Sequence, residues 1–287
     1  MNQSTCRLVI GLLAFFLIIS LLTSMFLYGT WIAEATDHNS LESAAELQGL
    51  LLRVQGNVTG VLHTLDEATT EAAIGLTETG LTGDQGDMIL NRTSRVTPYV
   101  IDCITVDPEG TILATKPDKY KGVIGENIGN QTHFLRLSRY KIPVMSGMIP
   151  TVEGVHSVDI ASPVFSRDGL FIGATTALIS PGDVFADQMS EIQGRPEYGF
   201  TVMQTDGLII YDSDAMQVGR VLFEDKLFEP YPGLIEFGRR IAASESGYGR
   251  YSFLDSSHGR NVTKQVYWAT AGIRGTEWRL VISKEVQ

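Results

Sequence analysis

Three aspartates, Asp206, Asp212 and Asp214, fall within nine residues of the stretch TDGLIIYDSDAMQVG, Thr205 to Gly219. Carboxylates this close could hold a divalent cation or act as an acid–base pair. An EF-hand loop would need further oxygen ligands, a central glycine and a distal glutamate at fixed spacing, and the stretch has none of these. Turn and loop chemistry accounts for all three, since aspartate side chains bond their own backbone at turns. The five histidines, His38, His63, His133, His156 and His258, show no metal-ligand spacing, and no cysteine pair accompanies them. There is no G-x-S-x-G elbow, P-loop or dinucleotide fingerprint. SGYGRY holds a G-x-G but lacks the third glycine, so it reads as a turn. The expectation is a protein without catalytic residues, metal or cofactor; a catalytic set scattered through the sequence is the alternative.

What positions side chains in this chain begins at a membrane. From Leu8 to Ala33 the sequence carries no charge, and about 20 apolar residues span a bilayer. Arg7 precedes the run, and Glu34, Asp37, Glu42 and Glu46 follow it. Positive charge stays inside, which predicts a cytoplasmic tail over 1–7, an anchor over 8–33 and an extracellular remainder. Tyr28 and Trp31 stand where an interfacial aromatic belt would lie. A cleaved signal peptide is the alternative, though its apolar core would be unusually long. Cys6 and Cys103 fall on opposite sides and cannot pair. Cys103, in YVIDCITVD, reads as a buried thiol. Sequons at Asn57, Asn91, Asn130 and Asn261 predict glycosylation of an exported surface. The net charge of -11 argues against a nucleic-acid partner.

Past the anchor, small or apolar residues recur at Ala44, Leu47, Leu51, Val54, Val58, Val61, Leu65, Ala68 and Ala72. Steps of three and four residues predict a long helix, within a helical region over 37–97. Its stripe either packs on the chain's own domain or forms a homodimer seam. Gly80 to Asp87 breaks the helix and a short second one follows. Then strands and turns take over, and they repeat. VIDCITVD and TILATK flank Pro108-Glu109-Gly110; GFTVMQ and LIIYD flank Asp206-Gly207. Gly110 and Gly207 lie 97 residues apart, as do Ile112 and Ile209, and Gly122 and Gly219. The hairpins turning at Gly169 and Gly275 also correspond. NQTHFLRLSRYK and PGLIEFGRRIAAS read as helices. The pattern predicts an α+β chain with modules over 98–190 and 196–287, each an antiparallel sheet with flanking helices.

This order of motifs resembles the double Cache extracellular sensor domains, which are PAS-like, and in particular Cache-containing proteins of archaea. The residues that carry the resemblance are VDPEGTILATKPDKYKGVIGENI and SPVFSRDGLFIGATTALISP in the first module, and VMQTDGLIIYDSDAMQVGRVLFED, GYGRYSF and GTEWRLVIS in the second. It covers about Ser40 to the end. It implies a fold of a membrane helix, a long helix and two PAS-like modules, the first of which, membrane-distal, holds a small molecule between its sheet and helices. Many members recognise amino acids through an Arg-Trp-Tyr cluster and an aspartate after a late-strand glycine step. Here the helix THFLRLSRY has no tryptophan, and Thr175 stands where the aspartate would be. The resemblance therefore points instead to a carboxylate or other small anion, met by His133, Arg136 and Arg139, because arginine matches carboxylates bidentately. Ser146, Asp159 and Thr175 would add polar contacts. For each, surface exposure or core capping is the alternative role. In the second module, Tyr211, Lys264 and Trp268 are candidates for a further pocket, with Trp268 and Trp278 also readable as core.

The sequence given ends at VISKEVQ, with no second apolar span or output segment. The expectation is a membrane-anchored sensor in signal transduction that works through a partner, a kinase, chemoreceptor or permease. A tethered solute-binding protein and a non-binding envelope module are the alternatives.

Overall fold

The computed structural model describes residues 3–189, 195, 197–255 and 260–286. The chain divides into two compact units, 1–49 and 50–287. The first is helical, the beginning of α1 (Gln3–Thr79). The side chains of the apolar run expected to span a membrane lie largely outside the described residues. Among those described, no helix is long and apolar enough to cross a membrane.

The second unit holds the rest of α1 and all that follows. After α2 (Asp84–Thr93) come β1 (Val100–Val106), β2 (Ile112–Lys116), α3 (Thr132–Tyr140), β3 (Val144–Met145), β4 (Ile149–Pro150), β5 (His156–Phe165), β6 (Phe171–Ile179) and α4 (Pro181–Gln188). A second set comprises β7 (Tyr198–Gln204), β8 (Ile209–Asp212), α5 (Pro232–Ala242), β9 (Gly247–Asp255), β10 (Arg260–Ile273) and β11 (Thr276–Val286). The strands form two antiparallel sheets. The first runs β2-β1-β6-β5-β3, with β4 paired to β5; the second runs β8-β7-β11-β10-β9. Each strand of one path has its counterpart at the same place in the other. The fold is thus α+β, with two antiparallel sheets and flanking helices, consistent with two PAS-like modules.

The internal repeat holds in the hydrogen bonds, with one correction. Gly110 N–H donates to Asp107 O and Gly207 N–H to Gln204 O, both at 3.0 Å, with φ of 88° and 95°. Ile112 and Ile209 also occupy one structural position. Gly219 N–H donates to Ile209 O, but the group that donates to Ile112 O is Gly125 N–H, not Gly122. Gly125 has φ 94° and Gly219 φ 81°, while Gly122 sits in a 3-10 turn over Asp118–Val123 without positive φ. The first copy carries three extra residues in this loop, so equal spacing in the sequence misplaced the glycine.

Within the second unit, α1 buries Leu51, Val54, Val58, Leu62, Leu65, Thr69, Ala72 and Leu76. The stripe passes through Leu62 and Thr69 where the heptad expectation has Val61 and Ala68, which are half-buried. A straight helix has 3.6 residues per turn, so its apolar face drifts off a heptad when it packs on a broad surface. That surface is the chain's own. Ala73 and Leu76 pack with Val164 of β5. Thr70 and Ser162 hydroxyls are 3.4 Å apart, and Gln55 donates to the Thr270 carbonyl at 2.7 Å. Asp66, 8% exposed, takes both guanidinium arms of Arg274 at 2.8 and 2.7 Å. From Leu51 to Leu76 the stripe is therefore occupied and not available as a dimer seam.

On its other face the first sheet packs Ile104, Val106, Ala161 and Ala174 against Phe134 and Leu137 of α3. The second sheet packs Met203, Val266, Trp268 and Val281 against Phe237 and Ile241 of α5. Trp278, fully buried, meets Phe185 of α4 edge-on at 5.5 Å.

Gly125→Ala should cost about 1–2 kcal/mol, the penalty for a side chain in the left-handed region. Gly122→Ala, with open space around its Cβ, should stay within about 0.5 kcal/mol of the parent, as for surface changes generally. Urea unfolding of the two variants checks the corrected repeat.

Candidate functional site

Strand alternation decides which side chains of the first sheet meet α3. In register, Asp102 of β1 stands opposite Leu178 of β6, and Leu178 opposite Asp159 of β5. Residues in one cross-strand row share a face, so two carboxylates flank Leu178 on the α3 face. The next row on that face is Ile104, Thr176 and Ala161. Asp102, Asp159, Ile104, Thr176 and Leu178 line a small cavity with Ile128, Gln131 and the segment from Ile149 to Glu153. Its volume is about 20 Å³, room for one water.

The cavity is acidic. Asp102 is 1% exposed and accepts one hydrogen bond, from the Thr115 hydroxyl at 3.1 Å. Burial, then the Glu153 carboxylate, raises its pKa to about 8, against the pull of that hydrogen bond and of Lys119. It keeps its proton at neutral pH. Asp159 is 4% exposed. Its Oδ2 lies 2.9 Å from His133 Nε2, a charge-pair distance without the alignment of a hydrogen bond, since His133 Nε2 has no hydrogen-bond partner. Its Oδ1 is buried and accepts nothing among the described residues. A buried carboxylate oxygen without a donor is costly, and Asp159 is one of the residues that line the cavity.

The structure brings three of the six expected ligand residues together. His133, Ser146 and Asp159 are all buried. The Ser146 hydroxyl accepts from Asp159 N–H at 2.8 Å and donates to Gly147 O at 2.6 Å, so it braces the strand that presents Asp159. The other three stand apart. Arg136 donates to the Arg274 carbonyl at 2.8 Å, beside Gly275 of the β10–β11 hairpin. Arg139 is exposed and lies over the Tyr140 ring at 5.4 Å. Thr175 is fully buried on the opposite face, its row being Thr105, Thr175 and Ser162, and its hydroxyl donates to Ile104 O. Thr176 faces the cavity in its place, because one residue along a strand reverses the face. Among the described residues, no arginine or lysine lines this cavity. Asp102 went unrecognised; the available signal was an acid inside the apolar run VIDCITV.

Other expected positions are accounted for. Asn57, Asn130 and Asn261 are exposed; Asn91 is half-buried in α2, and its sequon partner Thr93 spends its hydroxyl on Ile89 O. Cys103 is buried and free, and burial pushes its thiol well above the usual range. In the opening triad, Asp206, Asp212 and Asp214 each accept a backbone N–H two residues ahead. No group of three or more metal-ligating side chains converges among the described residues; His258 lies outside them.

A second, larger cavity of about 660 Å³ lies between the second sheet and α5. Tyr231, Phe237, Tyr251 and Phe253 form an aromatic wall, and Asp212 and Lys264 face in from the strands. Trp268 and Trp278 are core, and Tyr211 packs on Phe185 and Phe200.

The family model HK/GC/chemotaxis protein-like sensor domain matches residues 60–181. An extracellular ligand binding receptor from Desulfohalobium retbaense superposes with a TM-score of 0.72 at 30% identity, covering 83% of this chain; the chain spans 40% of the length of that receptor. The ligand-binding domain of the Pseudomonas aeruginosa amino acid chemoreceptor PctB, in complex with L-Arg, gives 0.60 at 17% identity, over 84% of this chain and 94% of that one. That of the Pseudomonas fluorescens chemoreceptor CtaA, in complex with L-serine, gives 0.62 at 15%, over 86% and 98%. A comparison with curated proteins finds no match. The matched family is a sensor domain, and the matched structures are a ligand-binding receptor and ligand-binding domains of chemoreceptors.

Asp102 carries a pH signature. Its unfolded carboxyl titrates near 3.9 and its folded one at about 8. Between those values the unfolded chain releases a proton that the folded chain keeps, so raising pH through this window favours unfolding. Asp102→Asn removes the penalty. It should raise the melting temperature at pH 8, by about 2–4 °C for each kcal/mol in a domain this size, and leave it nearly unchanged at pH 4. Thermal scans at the two pH values check this.

Proposed function

We propose that this chain is the ligand-binding part of an extracellular sensor for a small molecule bearing an ammonium group, bound in the first module. The observation that carries the ligand class is the buried Asp159 Oδ1, which has no donor among the described residues, on a residue that lines one cavity with Asp102. An ammonium supplies up to three N–H donors and a positive charge. It would satisfy Asp159 and draw the proton from Asp102. The amino acids bound by the PctB and CtaA domains carry such a group. The anion expected from His133, Arg136 and Arg139 gives way here, because neither arginine reaches the cavity and carboxylates line it.

In this reading the cavity is closed and a ligand enters when the segment Ile149–Glu153 lifts off the sheet. That segment belongs to the β4–β5 hairpin, which turns at Gly154 with φ 82° and hangs on the sheet by two residue pairs. The run Leu8–Ala33 anchors the chain with residues beyond it outside the cell, and modules over 98–190 and 196–287 form the sensor. The chemistry is recognition rather than catalysis, passed to a membrane partner such as a histidine kinase or chemoreceptor.

Ethanolamine and putrescine should raise the melting temperature of the full chain in nanodiscs, since a ligand of the folded state stabilises it by about 2.7 kcal/mol at 100 times Kd. Acetate should not. Asp159→Asn should abolish the shift, and Arg136→Ala and Arg139→Ala should leave it. Amine affinity should rise by up to about tenfold per pH unit from pH 6 to 8, because binding releases the Asp102 proton. A shift with acetate that Arg136→Ala removes would restore the anion and overturn the amine.

A further inference from the structure

The second cavity has a chemistry of its own. Its floor is the α5 face of the second sheet, where Thr201, Val281 and Trp268 form one cross-strand row, and Glu285, Lys264 and Tyr251 another. Its roof is α5 and the segment before it, which bring Phe228, Tyr231, Leu234 and Phe237. The aromatic wall is continuous: Phe237 to Tyr251 at 5.4 Å, Tyr251 stacked on Phe253 at 6.0 Å, and Tyr231 edge-on to Phe253 at 5.8 Å. At about 660 Å³ the space is that of small-molecule sites, which run from about 300 to 1,000 Å³.

The charges inside are unequally satisfied. Asp212 accepts hydrogen bonds from the Thr201 hydroxyl and from Asp214 N–H. Glu285 is exposed and takes both arms of Arg260, at 2.7 and 3.3 Å. Asp214 is exposed and turned into its own loop, and Glu197 is exposed at the rim; charges so placed are screened by salt. Lys264 differs. It is half-buried, reaches across the Phe253 ring with its Nζ 5.9 Å from the centroid, and makes no ion pair among the described residues. Asp212 attracts it from a distance without forming a contact. A lysine ammonium at the edge of an aromatic cavity can pair with an acceptor that enters with an apolar body.

We propose that this cavity is a second binding site, independent of the amine site, for a carboxylate with an aromatic or branched apolar body, its carboxylate on Lys264 and its body against Tyr231, Phe237, Tyr251 and Phe253. Lys264 sets the charge of the ligand, and the aromatic wall sets its shape. The first module meets a cation with buried carboxylates; the second meets an anion with the half-buried Lys264 ammonium, which makes no ion pair among the described residues. The two copies of one fold thus differ in the sign of the ligand they accept.

The test is calorimetric titration of the full chain in nanodiscs with 3-phenylpropionate, 3-phenylpropionamide and 3-phenylpropylamine. The carboxylate should bind, and the isosteric amide at least about tenfold more weakly, the loss expected for a hydrogen bond to a charged group. Lys264→Met keeps the length of the side chain without its charge. It should bring the carboxylate down to the level of the amide. Leu234→Trp, which fills the cavity from α5, should abolish binding of both, and Asp159→Asn should change neither. Equal binding of carboxylate and amide, tighter binding of the amine, or no binding of any probe would overturn the proposal. If Lys264→Met fails to fold, the comparison of carboxylate with amide in the parent chain decides.

Discussion

One constraint organises the first sheet: α1 lies against one face and leaves the other to form a cavity. Leu51, Val54, Val58, Leu62, Leu65 and Leu76 are each buried to 5% exposure or less. Burying such side chains stabilises by about 1.5–3 kcal/mol apiece relative to leaving them exposed. Once that stripe has found its place, strand alternation determines the rest. Thr105, Thr175 and Ser162 belong to the α1 side of the first sheet, with the Thr70 hydroxyl near Ser162. Asp102, Thr176 and Asp159 then belong to the other side. A register slip of one residue would exchange the two sets. It would place two carboxylates against the apolar helix and lose both the core and the site.

The same helix ties the two sheets together. Asp66 on α1 receives the guanidinium of Arg274, in the tight β10–β11 hairpin. From the other direction, Arg136 on α3 donates to the carbonyl of that same Arg274. Arg274 itself has φ 54°, in the left-handed region, beside Gly275 at φ 85°, and a non-glycine residue there is held by its surroundings. One hairpin of the second module thus touches both the long helix and the helix that flanks the first cavity. A change at α3 has a direct physical route to α1 through two hydrogen-bonded contacts.

The two copies have diverged in the filling of equivalent space. Both cavities lie between a sheet and a helix, one beside α3 and one beneath α5. In the first, the segment leading into the β4–β5 hairpin folds over the carboxylate row and leaves room for a water. In the second, β9 pairs along β10 for nine residues, and the space between sheet and helix stays open. The sheet is conserved between copies in its path and its turns, while the loops that cover it set volume and charge.

The sequence by itself determined the architecture. Alternating strands, Asp-Gly and Glu-Gly turns, two amphipathic helices and a repeat near 97 residues follow from local chemistry, and local chemistry is what a linear pattern records. It also pointed to Lys264 as a candidate for a second pocket. It did not reveal β3 and β4, two residues each, or α4, because such short elements carry no periodicity. It placed Gly122 where Gly125 stands, since an insertion is invisible to equal spacing. Above all it could not choose between Thr175 and Thr176, or bring Asp102 beside Asp159. Those residues are far apart along the chain and meet only through cross-strand register. Register is decided by which face α1 covers, so only the tertiary structure turned two acids in separate strands into one site and left Lys264 without an ion pair among the described residues.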